Sequence, residues 1–220
     1  MSSVIGDIVA QEARAIGLLL SSQEVHAFEM YAAELLKWNS KVNLTAITKE
    51  KEIAVKHFVD SLSIAGHLSD DDRLLDIGSG AGLPIIPLKI VKPSVAMVSV
   101  DAVAKKINFQ RHVIRTLALK NIEALHARVE SLHKTHPHYF SVITSRAFTR
   151  LDRFVSLAAP LLAENGTLIA MKGEGAGDEI AESNDIVTAG GFTITSIQSY
   201  TLPYNMGKRV LTFLKLGKAA

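Results

Sequence analysis

Leu74-Leu75-Asp76-Ile77-Gly78-Ser79-Gly80-Ala81-Gly82-Leu83 is the stretch on which the fold turns. LLDIG reads as a short apolar strand. LPIIPLKIV, beginning at Leu83, reads as a helix opening near a proline, where the missing N–H is tolerated. Between them, glycines let the backbone turn tightly and let a ligand approach with no Cβ in the way. This is not a Walker loop, because no Gly-Lys-Ser/Thr follows, nor a clean G-x-G-x-x-G, because Leu83 stands where the third glycine belongs.

Working outward, the second strand, VAMVSVD, ends at Asp101, about 20 residues beyond the glycines, where a carboxylate can accept from both hydroxyls of a ribose. A dinucleotide enzyme would place the same acid, so Asp101 indicates an adenosine ribose without choosing the cofactor. AKKINFQRHVIRTLAL reads as an amphipathic helix, and IEALHA, FSVIT and GTLIAMKG as three more strands. LDRFVSLAAPLLA is a further helix, and FTITSIQSYTLP with RVLTFLKL a terminal antiparallel pair. The sum is an α/β, Rossmann-like fold: an open, mostly parallel, twisted sheet flanked by helices, with ligands bound outside the carboxyl ends of the strands.

Upstream the chain reads as a helical extension. Val25, Phe28, Ala32, Leu35 and Leu36 recur at helical spacing after a Ser21/Glu24 capping box, and Ile53, Phe58, Leu62 and Ala65 form a second apolar pattern. With 220 residues, we expect one domain over 1–220, an extension over 1–70 and a core over 71–220. No signal pattern opens the chain and no apolar run reaches the ~20 residues of a membrane span, so a cytoplasmic address is expected.

The absence of cysteine removes disulfides, thiolate metal sites and thiol nucleophiles, and with them covalent C5 methylation of pyrimidines. The net charge of +2 says little, but its distribution says more. Lys105, Lys106, Arg111, Arg115, Lys120 and Arg128 crowd one stretch, and the tail carries Lys208, Arg209, Lys215 and Lys218 without an acid. A polyanion could land on such faces, but charge alone favours a solvated helix surface.

D-x-G-x-G-x-G resembles the first motif of Rossmann-fold methyltransferases, in which the loop packs against the methionine part of the cofactor and the preceding acid fixes the loop. Beyond the loop, LLKWNSKVNLTAIT, HFVDSLSI, LLDIGSGAGLPIIPL, KKINFQRHV, ARVE, TSRAF, MKG and GKRV, all in order from about Leu35 to Leu214, resemble the RsmG (GidB) family. Ser141, Ala81 and Ile85 depart from the usual Asp, Pro and Gly of that pattern. The resemblance implies a class I methyltransferase that uses S-adenosylmethionine. Its implied target is N7 of a guanine in the 530-loop region of 16S ribosomal RNA (guanine 527), in the small ribosomal subunit or its late precursor. Thr144-Ser145-Arg146-Ala147-Phe148 stands where exocyclic-amine methylation would want an Asn/Asp-Pro-Pro-aromatic loop. N7 carries no proton, so that chemistry needs alignment but no general base.

The same resemblance implies residue roles. Gly78, Gly80 and Leu83 line the cofactor loop, Asp101 takes the ribose, and Val129 and Glu130 bracket the adenine; Val129 has plain core packing as its alternative. Arg146 would clamp the cofactor's carboxylate or an RNA phosphate, positioning rather than reacting, with an ion pair as the alternative. Lys172, Lys105, Lys106 and Arg209 would meet phosphates. Asn43 and His57 could shape the guanine pocket, and His57 could equally be a packing histidine. His133, His136 and His138 lie in a loop beside Pro137 without a partner acid, which argues against a metal site. Two rivals remain: a small-molecule methyltransferase on the same fold, with a closed apolar pocket, and an NAD-type enzyme, against which Leu83 argues.

Overall fold

Two N-terminal helices, α1 (Val4–Ala15) and α2 (Ser22–Val42), begin the protein in a computed structural model that describes residues 3–147 and 149–217. Phe148 of the TSRAF segment and Lys218 of the basic tail lie outside those residues. The Ser21 hydroxyl accepts from Glu24 N at 3.2 Å and the Glu24 carboxylate from Ser21 N at 2.7 Å, the reciprocal box that satisfies two orphan donors. Asn43 ends α2 in the left-handed conformation (φ 47°). A third helical segment opens as α3 (Glu50–Glu52), widens into a π-helical stretch over Ile53–Val59 and closes as α4 (Asp60–Leu62).

From Arg73 strands and helices alternate: β1 (Arg73–Ile77), α5 (Ile85–Val91), β2 (Ala96–Asp101), α6 (Ala104–Thr116), β3 (Ile122–His126), β4 (Phe140–Arg146) and α7 (Leu151–Ala158). Then come β5 (Leu162–Lys172), α8 (Ala176–Ala189), β6 (Phe192–Thr201) and β7 (Lys208–Leu216). The 7-stranded sheet runs β3-β2-β1-β4-β5-β7-β6; β7 pairs antiparallel with both neighbours and the other pairings are parallel. The terminal hairpin is present, and its last strand inserts beside β5 rather than at the edge.

Successive strand residues face opposite ways, and both faces are covered. Leu74, Met97, Val142 and Ile169 join a core with α1, α2, α5 and α6, whereas Leu75, Val100, Ile143 and Leu168 join one with α7 and α8. The extension is thus welded to the sheet. Phe58 stacks on Tyr31 with ring centres 5.1 Å apart, and Tyr31 lies 6.2 Å from Phe109 of α6. Strand order reverses between β1 and β4, which opens a crevice at their carboxyl ends. Among the described residues, no helix is long and apolar enough to cross a membrane.

Candidate functional site

The glycine loop leaves β1 through Gly78 (φ 72°), whose N–H donates to Val100 O at 2.9 Å, and closes at Gly82 (φ 91°). A Cβ at Gly82 would lie 2.4 Å from Ile86 Cδ1 and 3.2 Å from the Tyr31 hydroxyl, so both backbone angle and space demand glycine. Side chains from three other elements grip the loop. Tyr31 of α2, fully buried, donates to Ala81 O at 2.6 Å. Gln110 of α6 donates to Ser79 Oγ at 2.7 Å and to Gly80 O at 2.8 Å, while its own carbonyl accepts from Ser99 Oγ at 2.5 Å. Asp101 accepts from Gly80 N at 2.9 Å on one oxygen and from Val103 N at 2.8 Å on the other.

Asp76 does not do what its motif position implied. Both its oxygens are buried without a hydrogen-bond partner among the described residues, so Asp101, Gln110 and Tyr31 fix the loop instead. Burial pushes the Asp76 pKa well above the usual carboxylate range, against the opposing pull of Arg146.

Two cavities meet over this loop and share Gly78, Lys106 and Ala147. One, of about 530 Å³, has apolar walls from Val100, Val103 and Val129 and polar groups from Asp101 and Glu130. Val129 is buried; Glu130 is exposed and ion-paired with Arg153 at 3.2 Å. The other, of about 450 Å³, takes Gly80 and Leu83 from the loop and Leu44, Thr45, Ile47 and His57 from the extension. Five cationic side chains line it: Lys56, Lys106, Arg146, Lys172 and Arg209.

Those cations are held from behind. Buried Asp60 faces Arg146 Nη1 and Arg209 Nε, each at 3.3 Å, and accepts from the Tyr200 hydroxyl at 3.0 Å. Arg146 also donates to Lys56 O at 2.9 Å. The ion-pair alternative for Arg146 is therefore what the protein shows, although the guanidinium still lines the cavity. Lys172, expected to meet phosphate, donates to Thr149 O and to Glu179 at 2.8 Å. His57 is buried, with Nε2 2.9 Å from Thr45 Oγ1 and Nδ1 3.4 Å from Arg146 Nη2. Burial, then Arg146, lowers its pKa to about 4, so the ring is neutral near pH 7.

Two placements differ from expectation. Asn43 is exposed and lines neither cavity, because the left-handed cap turns the chain so that Leu44, Thr45 and Ile47 face inward in its place. Lys105 points to solvent from α6, and its neighbour Lys106 reaches both cavities, 3.9 Å from Asp101. The histidines of the 133–138 segment engage separately: His133 donates to Leu157 O at 3.0 Å and His138 faces Leu162 O at 3.2 Å. Among the described residues no group of three metal-ligating side chains occurs.

Chemically, the first cavity can hold a base against its valines and a sugar at Asp101. The second can hold a polyanion against its cations.

Solved structures with the same architecture include P. horikoshii TYW2 in complex with MeSAdo, at TM-score 0.59 and 14% identity, covering 74% of this chain and 63% of that longer one. Precorrin-6y C5,15-methyltransferase from Geobacter metallireducens aligns at TM-score 0.56 and 13% identity over 77% of this chain and 89% of that one. These likenesses concern the fold. In sequence, the ribosomal RNA small subunit methyltransferase G of Geobacter sulfurreducens is 46% identical over 204 residues, 93% of this chain and 94% of that one. Its counterpart in Geotalea uraniireducens is 44% identical over 215 residues, 98% of each. The family model for rRNA small subunit methyltransferase G (GidB) matches residues 24–206. With that match taking in the glycine loop, most of the extension and four of the five cations of the second cavity, and with relatives 44–46% identical over more than nine tenths of the chain, the chain belongs to the rRNA small subunit methyltransferase G (GidB) family.

Proposed function

We propose that this protein methylates N7 of a guanine in the 530-loop region of 16S ribosomal RNA, acting in the cytoplasm on the small ribosomal subunit or its late precursor. The observation that carries the reading is the makeup of the second cavity: five cationic side chains around a space whose Asp60 and His57 are already engaged within the protein. A reaction that had to remove a proton would want a free base there. N7 offers a lone pair and no proton, so a site built of phosphate-binding cations and a neutral imidazole suits it.

S-adenosylmethionine is the cofactor we infer, and the residues fit it. Val100, Val103 and Val129 suit a flat base, Asp101 keeps lone pairs for a ribose after accepting two backbone N–H groups, and Glu130 offers an acceptor at the rim. Asp76, buried behind the loop without a hydrogen-bond partner among the described residues and held toward its neutral form, would be drawn toward its ionised form by a ligand that brings positive charge. When bound, this cofactor supplies a methyl group on a positively charged sulfur. The loop, pinned by Tyr31, Gln110 and Asp101, holds a rigid floor, and positioning alone can contribute several kcal/mol. Arg146, tied to Asp60, serves phosphate or carboxylate binding and not the ring nitrogen, because methylation places positive charge on guanine and a guanidinium beside it would oppose that.

In duplex RNA the deep, narrow major groove hides N7, so the base must come from a loop or be swung out, as an assembled particle can present it. The test is to incubate the protein with undermethylated small subunits and isotope-labelled S-adenosylmethionine, then map the label by mass spectrometry. One 7-methylguanosine in the 530-loop region is expected, with naked 16S RNA a poorer substrate. Label elsewhere, or none, contradicts the reading.

A further inference from the structure

The second cavity contains a hydroxyl whose hydrogen-bond direction is forced. Arg146 carries only donors, so its contact with His57 requires Nδ1 to present a lone pair. The neutral imidazole then has its single hydrogen on Nε2, and it donates to Thr45 Oγ1 at 2.9 Å. Thr45 Oγ1 also accepts from Ile47 N at 3.0 Å. Both lone pairs of the hydroxyl are thus filled, and its hydrogen has no acceptor among the described residues. Thr45 lines the cavity. Its backbone is clamped by Asn39, whose Oδ1 accepts from Leu44 N and Thr45 N at 2.6 and 2.9 Å and whose Nδ2 donates to Thr45 O at 2.9 Å. What remains is an obligate donor, fixed in place on a residue that lines the substrate space.

We propose that Thr45 is a specificity-determining residue whose hydroxyl donates to the substrate base and thereby selects a purine with an oxygen beside the methylated nitrogen. Guanine presents N7 and O6, both acceptors, on its major-groove edge; adenine presents N7 and an amino donor. An ordinary threonine would accept from the amino group as readily as it donates to the oxygen. Here His57 and Ile47 remove that option, and an adenine would bring its N–H against an oxygen with no lone pair to offer. His57 acts through Thr45 and is a positioning residue in this scheme. The inference rests on the N7 reading above and deepens it.

The test compares small subunits assembled with guanine or adenine at the methylated position, the adenine form read as substrate or as competitive inhibitor. Thr45→Val should lower kcat/KM on guanine subunits by about tenfold and narrow the guanine-over-adenine ratio, because one hydrogen bond to the correct base is lost. Thr45→Ser, which keeps the hydroxyl, should keep the ratio. His57→Phe frees one lone pair of Thr45, so the ratio should narrow there too. S-adenosylhomocysteine affinity, read alongside, should stay within about twofold of wild type and shows that the variants fold. An unchanged ratio in both Thr45→Val and His57→Phe, with the wild-type product mapped to N7 of guanine, overturns this proposal alone. A wild-type product mapped elsewhere overturns it together with the N7 reading.

Discussion

Replacing Tyr31 by Phe isolates the contact through which the helical extension holds the glycine loop. The ring stays stacked 5.1 Å from Phe58 and 6.2 Å from Phe109, so almost no apolar burial changes. What goes is one hydrogen bond, 2.6 Å long, from a fully buried hydroxyl to the carbonyl of buried Ala81. Leaving a buried carbonyl unpaired costs about 1–3 kcal/mol. For a chain of this size each kcal/mol moves Tm by about 2–4 °C, so Tyr31→Phe should lower it by roughly 2–12 °C. The same change frees the loop to relax, and S-adenosylhomocysteine affinity should fall up to about tenfold, corresponding to about 1.4 kcal/mol. Circular dichroism melts and calorimetry read the two effects. A variant that melts within about 1 °C of wild type and binds equally well would refute the idea that the extension pins the loop.

Other perturbations test other contacts. Gly82→Ala places a Cβ 2.4 Å from Ile86 Cδ1 at φ 91°, and should cost about 1–3 kcal/mol by urea unfolding; a wild-type midpoint contradicts the close packing. Asp60→Asn removes the charge facing Arg146 and Arg209, and should cost about 3 kcal/mol and raise KM for small subunits more than it lowers kcat; an unchanged melt refutes the role of the ion pairs. His57 titrates near 4 in the folded protein against about 6.5 unfolded, so the unfolded chain takes up its proton first as pH falls. Stability should therefore drop between about pH 6.5 and 4, by on the order of 3 kcal/mol, and His57→Gln should flatten that part of the urea-midpoint profile.

Local patterns were the legible part of this protein. The strand–glycine loop–helix around Asp76–Gly82 and the acid at Asp101 follow from short-range rules, as does the Ser21/Glu24 cap. The contacts that shape the site are long-range, and no local rule announces them. Tyr31 lies 50 residues from the carbonyl it holds, Gln110 lies 30 from Gly80, and Asp60 lies 86 from Arg146. In sequence Tyr31 and Gln110 are ordinary positions on amphipathic helices, and their polar ends give no sign of a buried partner. The five-residue step from Ile53 to Phe58 is the spacing of a π-helix, but within an apolar pattern it reads as a helix with a skipped turn. Asn43 misled because a left-handed cap reverses the chain direction, a one-residue effect that decides whether Asn43 or Thr45 faces the cavity. The charge pattern located the cations near Lys106 and Arg209; it could not show that Asp60 and Glu179 were waiting for them.

Everything functional depends on an adenosine-bearing methyl donor sitting between the glycine loop and Asp101. Isothermal calorimetry of the purified protein with S-adenosylhomocysteine tests this most directly, with NAD as the control and Asp101→Ala as the variant. We expect one molecule bound per chain, no heat with NAD, and a loss of at least about tenfold in affinity for Asp101→Ala. A folded protein that takes up no S-adenosylhomocysteine, or binds NAD in its place, would contradict that placement.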